Sequence, residues 1–292
     1  MHHQPVLKNE VLEYLKPTPG ENFIDCTFGF GGHSFPLLEK IKPEGKILGI
    51  ETDGEVIKVL KKDKLDEKLI LVQGNFSDLK KIAQKNNFSP VNGILFDLGF
   101  SSWQIEKSGR GFSFQKNEPL DMRLDNRALK TAEQIVNSWP KDNLAKIFRE
   151  YGEERYAFRI ADLIYRSRKE TRIETTGQLI EIIRRAVPFA QQRRKIHFAT
   201  KTFQALRIAV NDELGNLAKA FPQALELLET GGRLAIISFH SLEDRLVKNF
   251  FKEEKIKNNL KILTKKPVGP SLEEIRENPR SRSAKMRSAV KI

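Results

Sequence analysis

The first hundred residues alternate between two hydrophobic periods, and that alternation restricts the fold more than any other feature. NFIDC (22–26), KILGIE (46–51), LILVQG (69–74) and NGILFDLG (92–99) are short apolar runs. Between them SFPLLEKI, the stretch from Glu55 to Leu60, and DLKKIAQK have helical spacing, with Ser77 placed to cap the last. Apolar runs that alternate with helices predict βαβ units and a parallel sheet covered on both faces.

From about 108 to 200 the strand signals vanish, and helical stretches such as DNLAKIFREYG, YAFRIADLIYRSRK and GQLIEIIRRAV take over. LETGGRLAIISFH (228–240) then restores a glycine turn and a strand. A helix near LEDRLVKNFF and two further strands, LKILT and MRSAVKI, close the chain. The expected fold class is α/β: a mostly parallel, doubly wound sheet, Rossmann-like, with an inserted all-helical domain. Residues 1–107 and 200–292 would form one discontinuous domain and 108–199 the insert. Pro222 predicts a break or kink near Phe221.

The first run leads into TFGFGGHS (27–34), where Gly29, Gly31 and Gly32 crowd together. A glycine-rich turn from the first strand into a helix lets backbone approach a ligand closely. The dinucleotide fingerprint G-x-G-x-x-G is incomplete here, because His33 and Ser34 follow and the third spaced glycine is absent. Glu51 ends the second run, 26 positions after Asp25, where an acid can grip ribose hydroxyls; Asp53 is the alternative. Phe76 follows the third run, as an adenine contact or as core. Asp97 ends the fourth, where such sheets place ligands, and Ser101, Ser102 and Gln104 follow in its loop.

Over 292 residues, 30% are charged and the net charge is +13. A polyanion such as RNA is the first partner such a balance suggests, and a lysine-rich solubilising surface is the alternative. The region 141–210 holds 16 Lys or Arg against 8 Asp or Glu, with Arg193, Arg194 and Lys195 concentrated beside an aromatic. The tail 276–292 adds six basic residues against one acid. Trp103, Phe112 and Phe114 are candidates to stack on a base, or to pack in a core or lid. Cys26 is the only cysteine, which excludes an internal disulfide and a Cys/His zinc site; no metal is expected. No apolar run approaches the ~18 residues of a membrane span, and MHHQPVLKNE lacks a signal-peptide stretch, so a cytoplasmic location is expected. His240 and Ser241 either face the site or form a strand end, with Ser241 capping the next helix.

TFGFGGHS, GILFDLGFSS, RGFSF, PLDMRLD, YGEER, HFATKTFQALRIAVN, GGRLAIISFHSLEDR and ENPRSRS together resemble the ribosomal RNA small-subunit methyltransferase H family. The resemblance runs from HHQPVL to the C-terminus. It implies a class I methyltransferase domain with a helical insert for RNA recognition, and S-adenosylmethionine as cofactor. The implied reaction is methylation of N4 of a cytidine in the decoding region of 16S rRNA; a small-subunit particle is the expected substrate, with naked rRNA left open. It also implies cofactor contacts at Gly31, Gly32, His33, Glu51, Phe76, Asp97 and Gln104. Phe30 stands where relatives often carry a charged residue, and Glu51 where aspartate is common.

The N4 amine is a poor nucleophile, so the protein must position it and accept a hydrogen bond from N4–H. Asp97 is the leading acceptor and Ser101 the second. Methylation at C5 would need a cysteine nucleophile, and Cys26 precedes the glycine loop. A nicotinamide-dependent dehydrogenase and a non-catalytic RNA-binding or assembly factor are the readings from other classes. A homo-oligomer is open.

Overall fold

The computed structural model describes residues 5–62, 65–99, 102–193 and 196–292. Two compact units emerge, one from Met1–Gly99 with Leu214–Ile292, the other Phe100–Glu213.

The first unit is built on a seven-stranded sheet. Its strands are β1 (Phe23–Asp25), β2 (Ile47–Glu51), β3 (Leu69–Gln73), β4 (Val91–Asp97), β5 (Leu228–Ser238), β6 (Leu260–Ile262) and β7 (Lys285–Lys291). Their order is β3-β2-β1-β4-β5-β7-β6. The first five run parallel, with Phe23 opposite Ile47 on one side and Gly93 on the other. β7 alone is antiparallel to its neighbours. The chain moves outward from β1 to β3, then returns to the other side of β1. The carboxyl ends of β1 and β4 therefore flank the point where strand order reverses, and such sheets open a crevice there.

Both faces are dry because the strands are apolar in both registers. On one face Ile24, Leu48, Ile50, Ile94, Phe96 and Ile236 pack with Leu79, Leu217, Phe221 and Phe251 from the covering helices. In the alternate register Phe23 and Ile47 are equally buried. That face includes Gly93, where a Cβ would stand 2.3 Å from the Phe23 ring.

The helix Glu213–Leu227 runs through Pro222, against the expected break at Phe221. An interior proline costs about 3 kcal/mol. Leu217, Ala220, Phe221 and Ala224 are all buried on one face of this helix, and that packing outweighs the cost. Ser77 does not cap the helix after β3. Asn75 accepts from the Ser77 N–H at 2.8 Å, and a short 3-10 turn, Phe76–Asp78, leads into Leu79–Lys85.

The second unit is helical, as expected, but wider than 108–199. The helix Thr200–Asn211 packs on Ala132–Ser138 and Lys141–Glu150. It gives Phe203, Leu206 and Val210 to a core shared with Leu144, Phe148, Ile160 and Ile183. Burying that apolar face is why the helix belongs to the insert and not to the sheet. Reciprocal capping boxes, Thr131 with Gln134 and Thr175 with Gln178, start two of its helices. Among the described residues no helix is long and apolar enough to cross a membrane.

Gly93→Ala should lower stability by about 1–3 kcal/mol, the usual cost of overpacking a filled core. Chemical denaturation checks this, and Phe23→Leu in the same chain should restore part of the loss by making room.

Candidate active site

The site grows from the end of β1. The Asp25 carboxylate is buried and accepts three times: from the Thr27 N–H at 3.1 Å, from the Thr27 hydroxyl at 3.4 Å and from the Ser34 hydroxyl at 2.7 Å. These bonds draw the glycine loop back over the strand end. The loop turns through left-handed backbone at Gly29 (φ 54°) and Gly31 (φ 77°). A Cβ at Gly31 would lie 2.5 Å from the Phe35 ring, so glycine is needed there for both conformation and space. His33 then leads into the helix Ser34–Ile41.

Glu51, at the end of β2, reaches back to this loop. Its Oε2 accepts from the Gly29 N–H at 2.9 Å and its Oε1 from the Asp53 N–H at 2.7 Å. Burial, the dominant influence, pushes its carboxyl up to about 7 despite the two backbone donors, with Asp53 and Asp25 adding to the rise. Asp53 caps the helix Gly54–Leu60 by accepting from the Glu55 N–H. Its carboxylate has a structural task, which leaves Glu51 as the acid facing the glycine loop.

Asp97 closes β4 beside β1. Its N–H donates to the Thr27 hydroxyl oxygen at 2.7 Å, locking the two strand ends together. One carboxylate oxygen, Oδ2, lies 3.5 Å from His33 Nε2. Among the described residues the other, Oδ1, is buried without a hydrogen-bond partner, and so are both ring nitrogens of His33. Buried polar atoms normally find partners, so three orphans in one place mark where a ligand belongs. Among the described residues His33 is the only basic side chain within ion-pair distance of Asp25, Glu51 or Asp97. A cation-bearing ligand with hydroxyl groups suits that setting, and S-adenosylmethionine has a sulfonium and a ribose diol. The donor set fits it.

Phe76 follows β3 and is half-buried, with its ring edge-on to Phe96 at 5.7 Å. It is anchored in the core of the sheet unit while retaining an open side. Gln104 lies in the helix Ser102–Glu106 of the other unit and is buried. Ser101 lies outside the described residues, as do Arg194 and Lys195. Arg193 is described, with its guanidinium 4.4 Å over the Phe189 ring. Phe112 and Phe114 pack against the core of the insert, and Phe114 stacks on His197 at 4.5 Å. Trp103 has the Arg110 guanidinium 6.0 Å from its ring.

His240, not Ser241, caps the helix Ser241–Ile256. Its Nδ1 accepts from the Glu243 N–H, and Glu243 accepts back from the His240 and Phe239 N–H groups. Cys26 is buried and its thiol is pushed well above its ordinary value by burial, so it is a structural residue. Thr27 and Ser34 are the site residues that sequence reasoning missed. The signal was available: an acid at a strand end with a hydroxyl residue two positions on forms a local side-chain turn.

The sheet order separates two readings. A dinucleotide-binding sheet runs 3-2-1-4-5-6, whereas here an antiparallel seventh strand lies between β5 and β6. That departure from the dinucleotide-binding order counts against the dehydrogenase reading. A model of the MraW methylase family matches residues 1–292. The chain is 48% identical to a ribosomal RNA small subunit methyltransferase H of Persephonella marina, over 100% of both proteins. The protein of that name from Thermosipho melanesiensis is also 48% identical, over 99% of this chain and 98% of its own length. Its counterpart in Thermomicrobium roseum is 46% identical, over 99% and 94%. With the match unbroken from end to end, the chain belongs to the MraW methylase family.

Proposed function

We propose that this chain methylates N4 of a cytidine in 16S ribosomal RNA, within a small-subunit particle, with S-adenosylmethionine as donor. The observation that carries the reading is full-length identity of 48% to a small-subunit ribosomal RNA methyltransferase. The choice of N4 draws support from Cys26. Methylation at C5 needs a thiolate nucleophile, and the chain's single cysteine is buried with its thiol raised.

The cofactor, when bound, supplies a methyl group already activated on a sulfonium. The protein's residues hold and orient. Gly31, Gly32 and His33 form the turn over the end of β1. Each Glu51 oxygen already accepts one backbone N–H and keeps lone-pair capacity for a ribose hydroxyl. Phe76 offers a ring to the adenine. Asp97 Oδ1 accepts from the cytosine N4–H, which localises the amine lone pair along the line of transfer and takes the departing proton. Ser101 is the second candidate for that acceptor. Orientation of this kind supplies ~7 kcal/mol or more of a barrier.

Transfer of a labelled methyl group to small-subunit particles and to free 16S rRNA, with the modified nucleoside identified by mass spectrometry, tests the proposal. N4-methylcytidine is the expected product. Methyl on another atom overturns the N4 assignment, and no transfer to either substrate favours a non-catalytic binding factor.

Glu51 gives a pH signature with two opposite signs. In the ligand-free protein its raised carboxyl holds a proton more tightly than in the unfolded chain. Its contribution to stability is therefore fully present below about 4.5 and lost as pH rises through about 7. Ribose hydroxyls donate best to the ionised form, so cofactor affinity should instead rise with pH up to about 7 and then level. Glu51→Gln should flatten both profiles, by denaturation and calorimetry respectively. It should also weaken cofactor binding, since a hydrogen bond to a charged group is worth about 1.5–3 kcal/mol.

Asp97→Asn preserves shape and one acceptor oxygen but removes the charge. At saturating cofactor, its single-turnover methylation rate should fall by ~10²-fold or more with little change in cofactor affinity. A near-normal rate would transfer the acceptor role to Ser101 or to a backbone carbonyl.

A further inference from the structure

The helix Ala157–Glu170 of the insert has one face in the core and one in solvent. Ala157, Ile160, Ala161 and Ile164 are buried on the inner face. Phe158 lies on the outer face and is 63% exposed, an unusual position for a large aromatic ring in a chain with ample core. Cations surround it. Lys141 Nζ stands 5.1 Å over the ring. Arg155, Arg159 and Arg166 line an open depression of about 510 Å³ with Phe158, Tyr156 and Asp162. Asp162 is its single acid, and it is already shared between Arg166 at 2.8 Å and Lys141 at 3.5 Å. Arg155 and Arg159 have no carboxylate within ion-pair distance among the described residues. Arg155 lies 6.0 Å over the Tyr156 ring, and Arg159 reaches the Arg185 carbonyl at 3.4 Å.

We infer that this face, Phe158 with Lys141, Arg155, Arg159 and Arg166, is a contact surface for single-stranded RNA. The inference rests on the reading of the chain as an rRNA methyltransferase and names where the insert meets its substrate. An exposed ring among cations is what an unpaired nucleotide requires. The base stacks on the ring while the flanking phosphates meet the guanidinium groups. Sequence tolerance follows, because every base has a π-face. Four cations against one acid complement a phosphate backbone rather than the mixed charges of a protein surface. The sequence pointed instead to Arg193, Arg194 and Lys195. This face escaped that reading because Arg155, Arg159 and Arg166 stand four and seven residues apart. That spacing brings them to one side, though they form no run in the sequence.

The experiment uses the full chain and a labelled single-stranded oligoribonucleotide, with binding read by fluorescence anisotropy over a range of salt. Phe158→Ala should weaken binding about fivefold or more with the salt slope unchanged. Phe158→Trp should retain binding, which a merely structural role for the ring would not explain. The pair Arg155→Ser and Arg159→Ser, made together, should flatten the salt slope by about 1.4, at about 0.7 for each phosphate no longer neutralised. Circular dichroism and cofactor calorimetry should match wild type in all three. If the variants bind RNA and methylate particles as wild type does, the inference is overturned while the methyltransferase reading stands. If wild type transfers no methyl group, that reading fails, and the RNA titrations still decide this surface by themselves. Particle binding abolished with oligoribonucleotide binding intact would overturn it in favour of a protein contact.

Discussion

One buried carboxylate organises the active end of the sheet. Asp25 ties the Thr27 N–H and the Ser34 hydroxyl to the end of β1, and the Thr27 hydroxyl in turn receives the Asp97 N–H. The path of the glycine loop, the start of the following helix and the end of β4 therefore depend on the same side chain. Burial raises the Asp25 carboxyl, and its bond to Ser34 is the largest influence opposing that rise. Without it, the Ser34 hydroxyl and the two Thr27 donors would lose their acceptor, and the buried Ser34 donor alone would cost about 1–3 kcal/mol. The glycines allow the turn, while Asp25 and its hydrogen bonds select it.

The same arrangement loads the site with negative charge. Asp25, Glu51 and Asp97 gather at the carboxyl ends of adjacent parallel strands. The usual remedy, a lysine or arginine partner, is missing among the described residues; only the His33 ring approaches Asp97. In a partly dry environment like charges so close together disfavour ionisation, which is part of why Glu51 titrates near 7. A cationic ligand with donor hydroxyls relieves what the protein leaves unbalanced. The binding preference is thus built into the apo site's electrostatics as much as into its shape.

Much of this was legible in the sequence. The alternation of apolar runs with helical spacing placed the first four strands, because buried parallel strands have few other ways to look. Glu51 and Asp97 could be placed from the sequence because each ends a strand of this topology, and Gly31 because it lies in the turn that follows β1. Three features were not legible, and each depends on tertiary contact. Pro222 does not break its helix because buried Phe221 and Ala224 hold it against the sheet. The helix Thr200–Asn211 looked like a return to the sheet domain, but Phe203 and Leu206 find their partners in the insert. His240 displaced Ser241 as a cap because Glu243 could answer it in a reciprocal box, and histidine is not among the residues usually expected there.

The partition of charge also bears on how a base reaches an acidic site. Residues 100–213 carry 22 Lys or Arg against 15 Asp or Glu, so the insert is basic. The end of the sheet is acidic. A phosphate backbone is attracted to the first and repelled by the second. A neutral base meets no such repulsion, and in the proposed function its exocyclic amine donates to Asp97. An enzyme that modifies a base must take it out of its stack, and the displaced base is then the part of the polymer that enters the pocket. On the proposed reading, acids at the end of the sheet would repel the phosphate backbone and admit the neutral base.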